Sequence, residues 1–280
     1  MQVEHYYYIK FDEQLYSKLI DEGIKVKVDS DPHYIAMFGK KMAFNIYESI
    51  GEKSCLLDEL LAKFGDGLTD YVFSKRELVE AKWLLFRSTN MKLDPLSEKT
   101  IEYSCPKSEF SYYHTKQVAP YAFKPIKWKS NNHFYSALGS YYTDIFCDDY
   151  AKELLEKENF NGLSFEEVLW ANKNIPLPNS HQLVFNNILP INSVLNLHNT
   201  VPINCPLCKK TKYNFDGNLL YRIEVDSSYL DDSYDFYKTG NDFTNGLCDF
   251  PFLICSQRVY SFLTSMNLTR NLCFEPLIVK

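Results

Sequence analysis

Two stretches of the sequence share one pattern and decide the fold: "DIFCDDYAKELLEKENFNGLSFEEV" (residues 144–168) and "FLICSQRVYSFLTSMNLTRNLCFEPL" (residues 252–277). Each begins with a short apolar run closed by a cysteine, followed by a residue suited to capping a helix N-terminus. An amphipathic helix, a polar turn and an alternating strand complete the pattern. The copies align with one inserted residue near the end, and the equivalent pairs are Ile145 and Leu253, Phe146 and Ile254, Cys147 and Cys255, Asp148 and Ser256, Leu154 and Phe262, Leu155 and Leu263, Asn159 and Asn267, Phe160 and Leu268, Leu163 and Leu272, and Phe165 and Phe274.

This internal repeat predicts an α+β fold in which two related strand-helix-strand units share mixed sheets. Short strands that enclose a helix must bury their apolar faces against a neighbour, and a second similar unit provides one. We place this domain at residues 101–280, with the copies at about 134–170 and 244–280. Two copies do not make a solenoid, which needs at least three.

Residues 1–100 predict a separate N-terminal α/β region. The β-forming run "VEHYYYIKF" is followed by "DEQLYSKLIDEG", which has helical spacing and ends at Gly23. The run "KSCLLDELLAKFGDG" predicts a second helix ended by glycine. Ser74 and Glu77 form the pattern of a capping box, so we expect a further helix to begin directly after Ser74.

The cysteine before the cap in "LICSQRVYSFL" permits two interpretations. A thiolate at a helix N-terminus can have a lowered pKa and act as a nucleophile. Cys147 holds the same position as Cys255 in the other copy, however, and a nucleophile would rarely occur twice. We therefore interpret both cysteines as small buried core residues, whose pKa burial would raise.

Length and composition are those of a protein with a substantial core. The chain has 280 residues, 45% of them apolar, and eight cysteines. Its N-terminal sequence lacks the features of a secretion signal, and no apolar run approaches the length of a membrane span. We expect a cytoplasmic protein with reduced thiols and no membrane partner.

The formal net charge of −6 is concentrated in one segment. Residues 224–249 contain seven acidic residues against Lys238 alone, and aromatic residues lie between them. The rest of the chain is balanced, which argues against a general nucleic-acid-binding surface. Acids steer a basic partner and aromatics supply contact area, so we predict a partner-binding surface from this segment. Its predicted residues are Asp226, Tyr229, Asp231, Asp232, Tyr234, Asp235, Tyr237 and Asp242. The alternative is a solvated loop whose aromatics pack into the core.

Between the copies, "HQLVFNNILPINSVLNLHNT" predicts two strands separated by Pro190, and residues 201–222 predict a hairpin-like insert. The insert contains Cys205 and Cys208, whose CxxC spacing allows two thiolates to bind one structural zinc. Redox activity and plain thiols are the alternatives. A closed zinc site needs two further ligands, for which the candidates are Cys105, His114 and His198. The motifs of zinc proteases, serine hydrolases, P-loop NTPases and dinucleotide-binding enzymes are all missing from the sequence, so we predict no catalytic residues.

The closing pattern "ICSQRVYSFLTSMNLTRNLCFEPL", preceded by CPLC, resembles the C-terminus of bacterial immunity proteins of polymorphic toxin systems, in particular the double-CxxCG-motif group and its relatives. The resemblance covers roughly residues 134–280. It departs from the family pattern in two respects: Lys209 replaces the glycine expected after the second cysteine, and the first CxxC pair is missing. The resemblance implies a cytoplasmic, non-catalytic protein that binds and neutralises a cognate toxin.

Two other functions stay open from the sequence. One is an enzyme with a pocket between the halves that uses Cys105, His114 and tyrosine or aspartate residues. The other is a zinc-bearing protein-interaction module. The acidic segment favours the toxin-binding interpretation, because many toxins that act on nucleic acids are basic.

Overall fold

A computed structural model describes most of the chain. The described residues are 2–32, 35–36, 39–49, 55–64, 68–89, 91–93, 100–103, 115–137, 143–205, 209–214, 222–240, 242–244 and 249–280. They divide into two compact units, with the boundary between Glu77 and Leu78.

The first unit is a four-stranded antiparallel sheet with two long helices. Its elements are β1 (Gln2–Lys10), α1 (Glu13–Asp21), β2 (Val26–Val28), β3 (Lys41–Ser49), α2 (Cys55–Phe64), β4 (Leu68–Val72) and the start of α3 (Lys75–Glu80). The sheet order is β2-β3-β1-β4, and every neighbouring pair is antiparallel. A βαββαβ chain with this order has the ferredoxin-like topology.

One face of this sheet forms the core of the first unit. Tyr7, Met42 and Phe44 alternate inward and pack with Leu19 of α1 and Leu60 of α2. The helix boundaries follow the local chemistry, because the Asp12 carboxylate accepts from the Leu15 amide and Gly23 adopts a φ of 75° after α1. Both α1 and α2 pack on this face.

The second unit contains the remaining strands and two further helices. Its elements are β5 (Trp83–Ser88), β6 (Met91–Leu93), β7 (Ile101–Tyr103), β8 (Thr115–Gln117), β9 (Ala122–Phe123), β10 (Phe134–Ala137), β11 (Ile145–Cys147), α4 (Asp149–Lys157), β12 (Leu163–Trp170), β13 (Pro176–Phe185), β14 (Ile188–Leu189), β15 (Val201–Asn204), β16 (Thr211–Asn214), β17 (Glu224–Val225), β18 (Phe236–Thr239), β19 (Asp242–Thr244), β20 (Asp249–Phe250), β21 (Leu253–Ser256), α5 (Gln257–Ser265), β22 (Leu272–Pro276) and β23 (Ile278–Val279). Short 3-10 helices span Ile191–Ser193, Leu197–Asn199 and Ser227–Tyr229.

Two mixed sheets organise this unit. One has the order β6-β10-β11-β13-β12-β9 and the other the order β14-β18-β21-β5-β22. A single core joins one face of each sheet with α4 and α5, and Phe185 of β13 contacts Phe86 of β5 and Phe236 of β18 edge-on. The predicted α+β class is thus confirmed, but the two copies do not share sheets as predicted: each lies in a mixed sheet of its own, and the two sheets share one core.

The predicted repeat holds at the level of strand register. Each copy runs strand, strand, helix, strand along the chain, and a further central strand lies in the sheet between its second and third strands. The sheet orders are β10-β11-β13-β12 and β18-β21-β5-β22, so the central strands are β13 and β5. Phe134 pairs with Cys147 as Phe236 pairs with Cys255, and Phe165 pairs with Leu183 as Phe274 pairs with Phe86. The central strand β13 follows its copy in the chain, whereas the equivalent β5 precedes its copy by more than half the sequence.

The local signals that delimit the repeat are also confirmed. Asp148 and Ser256 cap their helices by accepting from the backbone amides of Ala151 and Val259. After the helices, the equivalent residues Asn159 and Asn267 both take left-handed conformations, with φ of 53° and 55°. Asparagine tolerates this conformation better than most residues, so it ends each helix in the same way.

The capping box before α3 is present as predicted. The Glu77 carboxylate accepts from the Ser74 amide, and the Glu77 amide donates to the Ser74 hydroxyl.

A predicted strand beyond Pro190 is wrong, because the chain forms two 3-10 helices there. The predicted division at residue 100 differs from the observed boundary after Glu77, since β5 pairs with β21 and β22 of the second unit.

No helix among the described residues is both long and apolar enough to cross a membrane.

Candidate functional site

The acidic segment forms a loop ahead of β18, and we call residues 226–234 the acidic loop. Asp226 caps the 3-10 helix Ser227–Tyr229 and accepts from the Ser228 amide at 2.9 Å, and Asp231 accepts from the Ser233 amide at 2.8 Å. These backbone hydrogen bonds lower the pKa of both carboxyl groups. The loop therefore presents two ionised carboxylates in fixed turns.

A rigid aromatic base supports the acidic loop. The Tyr237 hydroxyl donates to the Asp231 carbonyl and accepts from the Asp231 amide, which fixes the peptide groups on both sides of Asp231. The Tyr237 ring packs edge-on against Trp83 and against Tyr234. Asp231 and Tyr234 are exposed above this base, so the loop offers charge and aromatic area without needing to be ordered on binding.

The other loop residues have mixed environments. Asp232 is exposed and forms an ion pair of 2.7 Å with Lys82. Tyr229 and Asp226 are half-buried, and the Tyr229 hydroxyl accepts from the Asn192 amide nitrogen at 2.6 Å. Asp242 lies in β19 opposite Lys212 of β16, and its side chain lies outside the described part of the structure.

Two of the predicted surface residues are buried. Asp235 accepts from the Ser256 hydroxyl, the Asn161 amide and Arg258, each at 2.8–3.1 Å, and thereby connects the two copies of the repeat. Tyr237 supports the loop from beneath. Neither side chain is available to a partner, so the prediction that they form part of the surface is corrected. The sequence alternates too irregularly here to show which residues point inward.

The predicted hairpin insert is present. β15 and β16 pair from Val201 opposite Asn214 to Asn204 opposite Thr211. The turn is closed by hydrogen bonds from the Cys205 amide to the Lys210 carbonyl and from the Lys209 amide to the Cys205 carbonyl. Lys209 has a φ of 63°, the left-handed conformation for which glycine is the usual residue.

The described residues do not assemble a zinc site around this turn. Cys205 is half-buried and His198 lies in a 3-10 helix, while Cys208, Cys105 and His114 lie outside the described residues. No group of three or more potential metal ligands occurs within the described ranges.

The two repeat cysteines are fully buried, as interpreted from the sequence. Burial raises the pKa of the Cys147 thiol, and the neighbouring Asp148 carboxylate raises it further. Burial likewise raises the pKa of Cys255, with a contribution from Asp235. Neither thiol is activated by its helix N-terminus, because burial and a nearby carboxylate both disfavour the thiolate.

We expect Cys147 and Cys255 to resist alkylation in the native protein. Brief treatment with iodoacetamide at neutral pH, followed by peptide mass mapping, should label Cys205 and Cys273, which are half-buried. Cys147 and Cys255 should become labelled only after addition of denaturant, since a buried neutral thiol is a poor nucleophile. Rapid labelling of Cys255 in the native state would instead identify an activated thiol.

Sequence reasoning missed two histidine–carboxylate pairs at the N-terminus of α4. His133 Nδ1 lies 2.8 Å from the Asp148 carboxylate, and His181 Nε2 lies 2.7 Å from the Asp149 carboxylate. The repeat offered a signal for the first pair, since His133 precedes β10 as Asp235 precedes β18. In both copies, therefore, the residue before the first strand binds the helix cap, and this contact is structural.

No protein-family model and no curated protein matches this chain.

Proposed function

We propose that the protein is a non-catalytic, cytoplasmic, immunity-type protein that binds and neutralises a cognate bacterial toxin through the acidic loop. The observation that carries this proposal is the arrangement of Asp226, Asp231 and Tyr234 on a fixed aromatic base. The resemblance of the C-terminal half to immunity proteins supports the same function.

The chemistry of the loop favours a basic protein surface as its partner. Ionised carboxylates at the rim of an interface accelerate association with a basic surface, and a preordered aromatic ring adds contact area at low entropic cost. The carboxylates of Asp226 and Asp231 hold their charge well below neutral pH, because backbone hydrogen bonds stabilise it. The same charges repel nucleic acid, so nucleic acid is not the proposed ligand.

The test is binding and growth rescue with the toxin encoded beside the gene for this protein. A variant with Asp226→Asn and Asp231→Asn keeps the side-chain oxygens that accept the turn hydrogen bonds but loses both charges. We expect it to bind the toxin about tenfold more weakly at low salt, mainly through slower association. We expect the difference to shrink at high salt, because exposed charges are screened.

The matched control carries the same loss of two charges at the C-terminal end of α1, where Asp21→Asn and Glu22→Gln replace exposed acids of the other unit. This control should bind as tightly as the unmodified protein. Failure of the unmodified protein to bind or to protect cells would remove the proposed function. Equal weakening by both double variants would show that the acidic loop is not the contact surface.

A further inference from the structure

The loop before β10 is the counterpart of the acidic loop in the other copy of the repeat, and we call residues 124–132 the basic loop. The strands that follow the two loops, β10 and β18, have equivalent registers, so the loops correspond position by position. The same turn closes both loops. The Asn132 amide donates to the Lys129 carbonyl at 2.9 Å, and the Tyr234 amide donates to the Asp231 carbonyl at 3.1 Å.

The two loops carry opposite charges at equivalent positions. Lys124 takes the position of Asp226, and Lys129 takes the position of Asp231. Lys127 is a third lysine of the basic loop, and all three lysines are exposed. One loop structure is thus presented twice by this unit, once with negative and once with positive charge.

The basic loop is held against the sheet by its own apolar residues. Ile126 and Trp128 pack on the core of the six-stranded sheet, and the Trp128 ring stacks on Tyr135 of β10 with 4.8 Å between the ring centres. Burial alternates along this segment, so Lys127 and Lys129 are directed to solvent on the same side. In extended backbone two such residues lie about 7 Å apart. The loop therefore presents a regular row of lysines on a fixed base.

A fourth lysine lies at the same end of the sheet. The Ala171 amide, after β12, donates to the Phe123 carbonyl at 3.0 Å, directly before Lys124. Lys173 belongs to the turn that follows, and its ammonium lies 3.6 Å from the centre of the Trp170 ring. None of the four lysines forms an ion pair with an acidic residue in the described part of the chain.

The acidic residues in this region do not cancel the charge of the row. Residues 115–143 contain no acidic residue. Asp148 and Asp149 follow β11 at this end of the sheet, but each pairs with a histidine at the start of α4. That helix packs on one face of the sheet and the basic loop on the other. Glu166 is exposed on β12, about 13 Å along the strand from Trp170.

We propose that the basic loop and Lys173 bind the phosphate backbone of a single-stranded nucleic acid. A row of lysines without nearby counter-ions is the positively charged track that such ligands follow. The exposed Ser130 and Asn131 lie in the same loop and can donate to phosphate oxygens. Trp128 and Trp170 are half-buried against the core, so the bases are not read and binding is independent of sequence.

An acidic protein surface, such as the acidic loop of a second copy of the chain, is the competing ligand. Protein interfaces centre on apolar or aromatic anchors. The acidic loop has such an anchor in Tyr234, which is 40% exposed, whereas the equivalent Asn132 of the basic loop is 5% exposed. Ile126 and Trp128 are turned into the core. The basic loop thus offers charge and polar groups alone, which favours a phosphate backbone and does not depend on toxin binding.

The test is fluorescence anisotropy of the full chain with a fluorescein-labelled, mixed-sequence single-stranded DNA of about 20 nucleotides. We expect a dissociation constant of about 1–100 µM at about 0.1 M salt, and a slope of log affinity against log salt of about −2 to −3 for three or four lysine contacts. Lys127→Gln with Lys129→Gln should weaken binding about tenfold or more at low salt and make the slope less steep by about 1.4.

The matched control is Lys75→Gln with Lys157→Gln, which removes two exposed lysines from α3 and α4 and should leave both affinity and slope unchanged. Absence of DNA binding at low salt, or equal weakening by the two double variants, would overturn the proposal. Equally tight binding of the corresponding duplex would overturn the assignment to a single strand. Self-association without DNA binding, abolished by the Lys127 and Lys129 changes, would assign the basic loop to a second copy instead.

Discussion

Replacement of Asp235 by alanine is expected to lower the free energy of unfolding by about 2–4 kcal/mol. The carboxylate accepts hydrogen bonds from the Asn161 amide, the Ser256 hydroxyl and Arg258. Its removal leaves the Asn161 amide and the Ser256 hydroxyl without this acceptor. Arg258 also donates to the Glu158 carbonyl and stacks on Phe160, so the loss reaches the contact between the two copies of the repeat.

Asp232→Ala is the matched control for this measurement. Asp232 lies three residues earlier and also pairs with a basic side chain, but its side chain is 67% exposed, against 9% for Asp235. Exposed ion pairs contribute little, so we expect a loss below about 1 kcal/mol. Urea unfolding of both variants checks the difference. Equal effects would mean that Asp235 does not hold the copies together.

Asp144→Asn is expected to remove a pH-dependent loss of stability. Burial raises the pKa of this carboxyl group to about 6, although the Tyr121 hydroxyl donates to it and Lys238 is nearby. Between the unfolded pKa of about 4 and the folded pKa the folded state keeps a proton that the unfolded state has released, so stability falls as pH rises. The loss amounts to at most about 3 kcal/mol above pH 6.

The asparagine variant should therefore gain stability over the unmodified protein as pH rises from about 4 to 7, and urea unfolding at several pH values measures this gain. Asp226→Asn serves as the control of opposite sign. Hydrogen bonds lower the pKa of Asp226, so its charged form stabilises the fold, and that contribution is lost as pH falls. A constant difference between the Asp144 variant and the unmodified protein would contradict a raised pKa at this position.

The repeat was predictable because each part of it has a local cause. Cysteine ends a buried strand, Asp148 or Ser256 caps the helix, and Asn159 or Asn267 permits the left-handed turn. These causes act over a few neighbouring residues, so they can be recognised in a single sequence. The fold class followed directly, because two such units must share a core.

The central strands and the buried acid were not predictable in the same way. β13 and β5 are equivalent in space, but one follows its copy and the other precedes its copy, so no collinear comparison aligns them. Asp235 looks like its exposed neighbours in sequence, and only the distant Ser256, Asn161 and Arg258 explain its burial. Long-range pairing of this kind leaves no periodic signal.

The early position of β5 has a consequence for synthesis of the chain. The first copy with its central strand is contiguous, so its strands can pair soon after Phe185 leaves the ribosome. The apolar run "WLLF" of β5 receives its partners β21 and β22 only when residues 253–276 have been made. At usual translation rates this strand waits about 10–40 s without its final neighbours. During that interval it is an aggregation-prone segment, and we expect the nascent chain to depend on chaperones until its last thirty or so residues emerge.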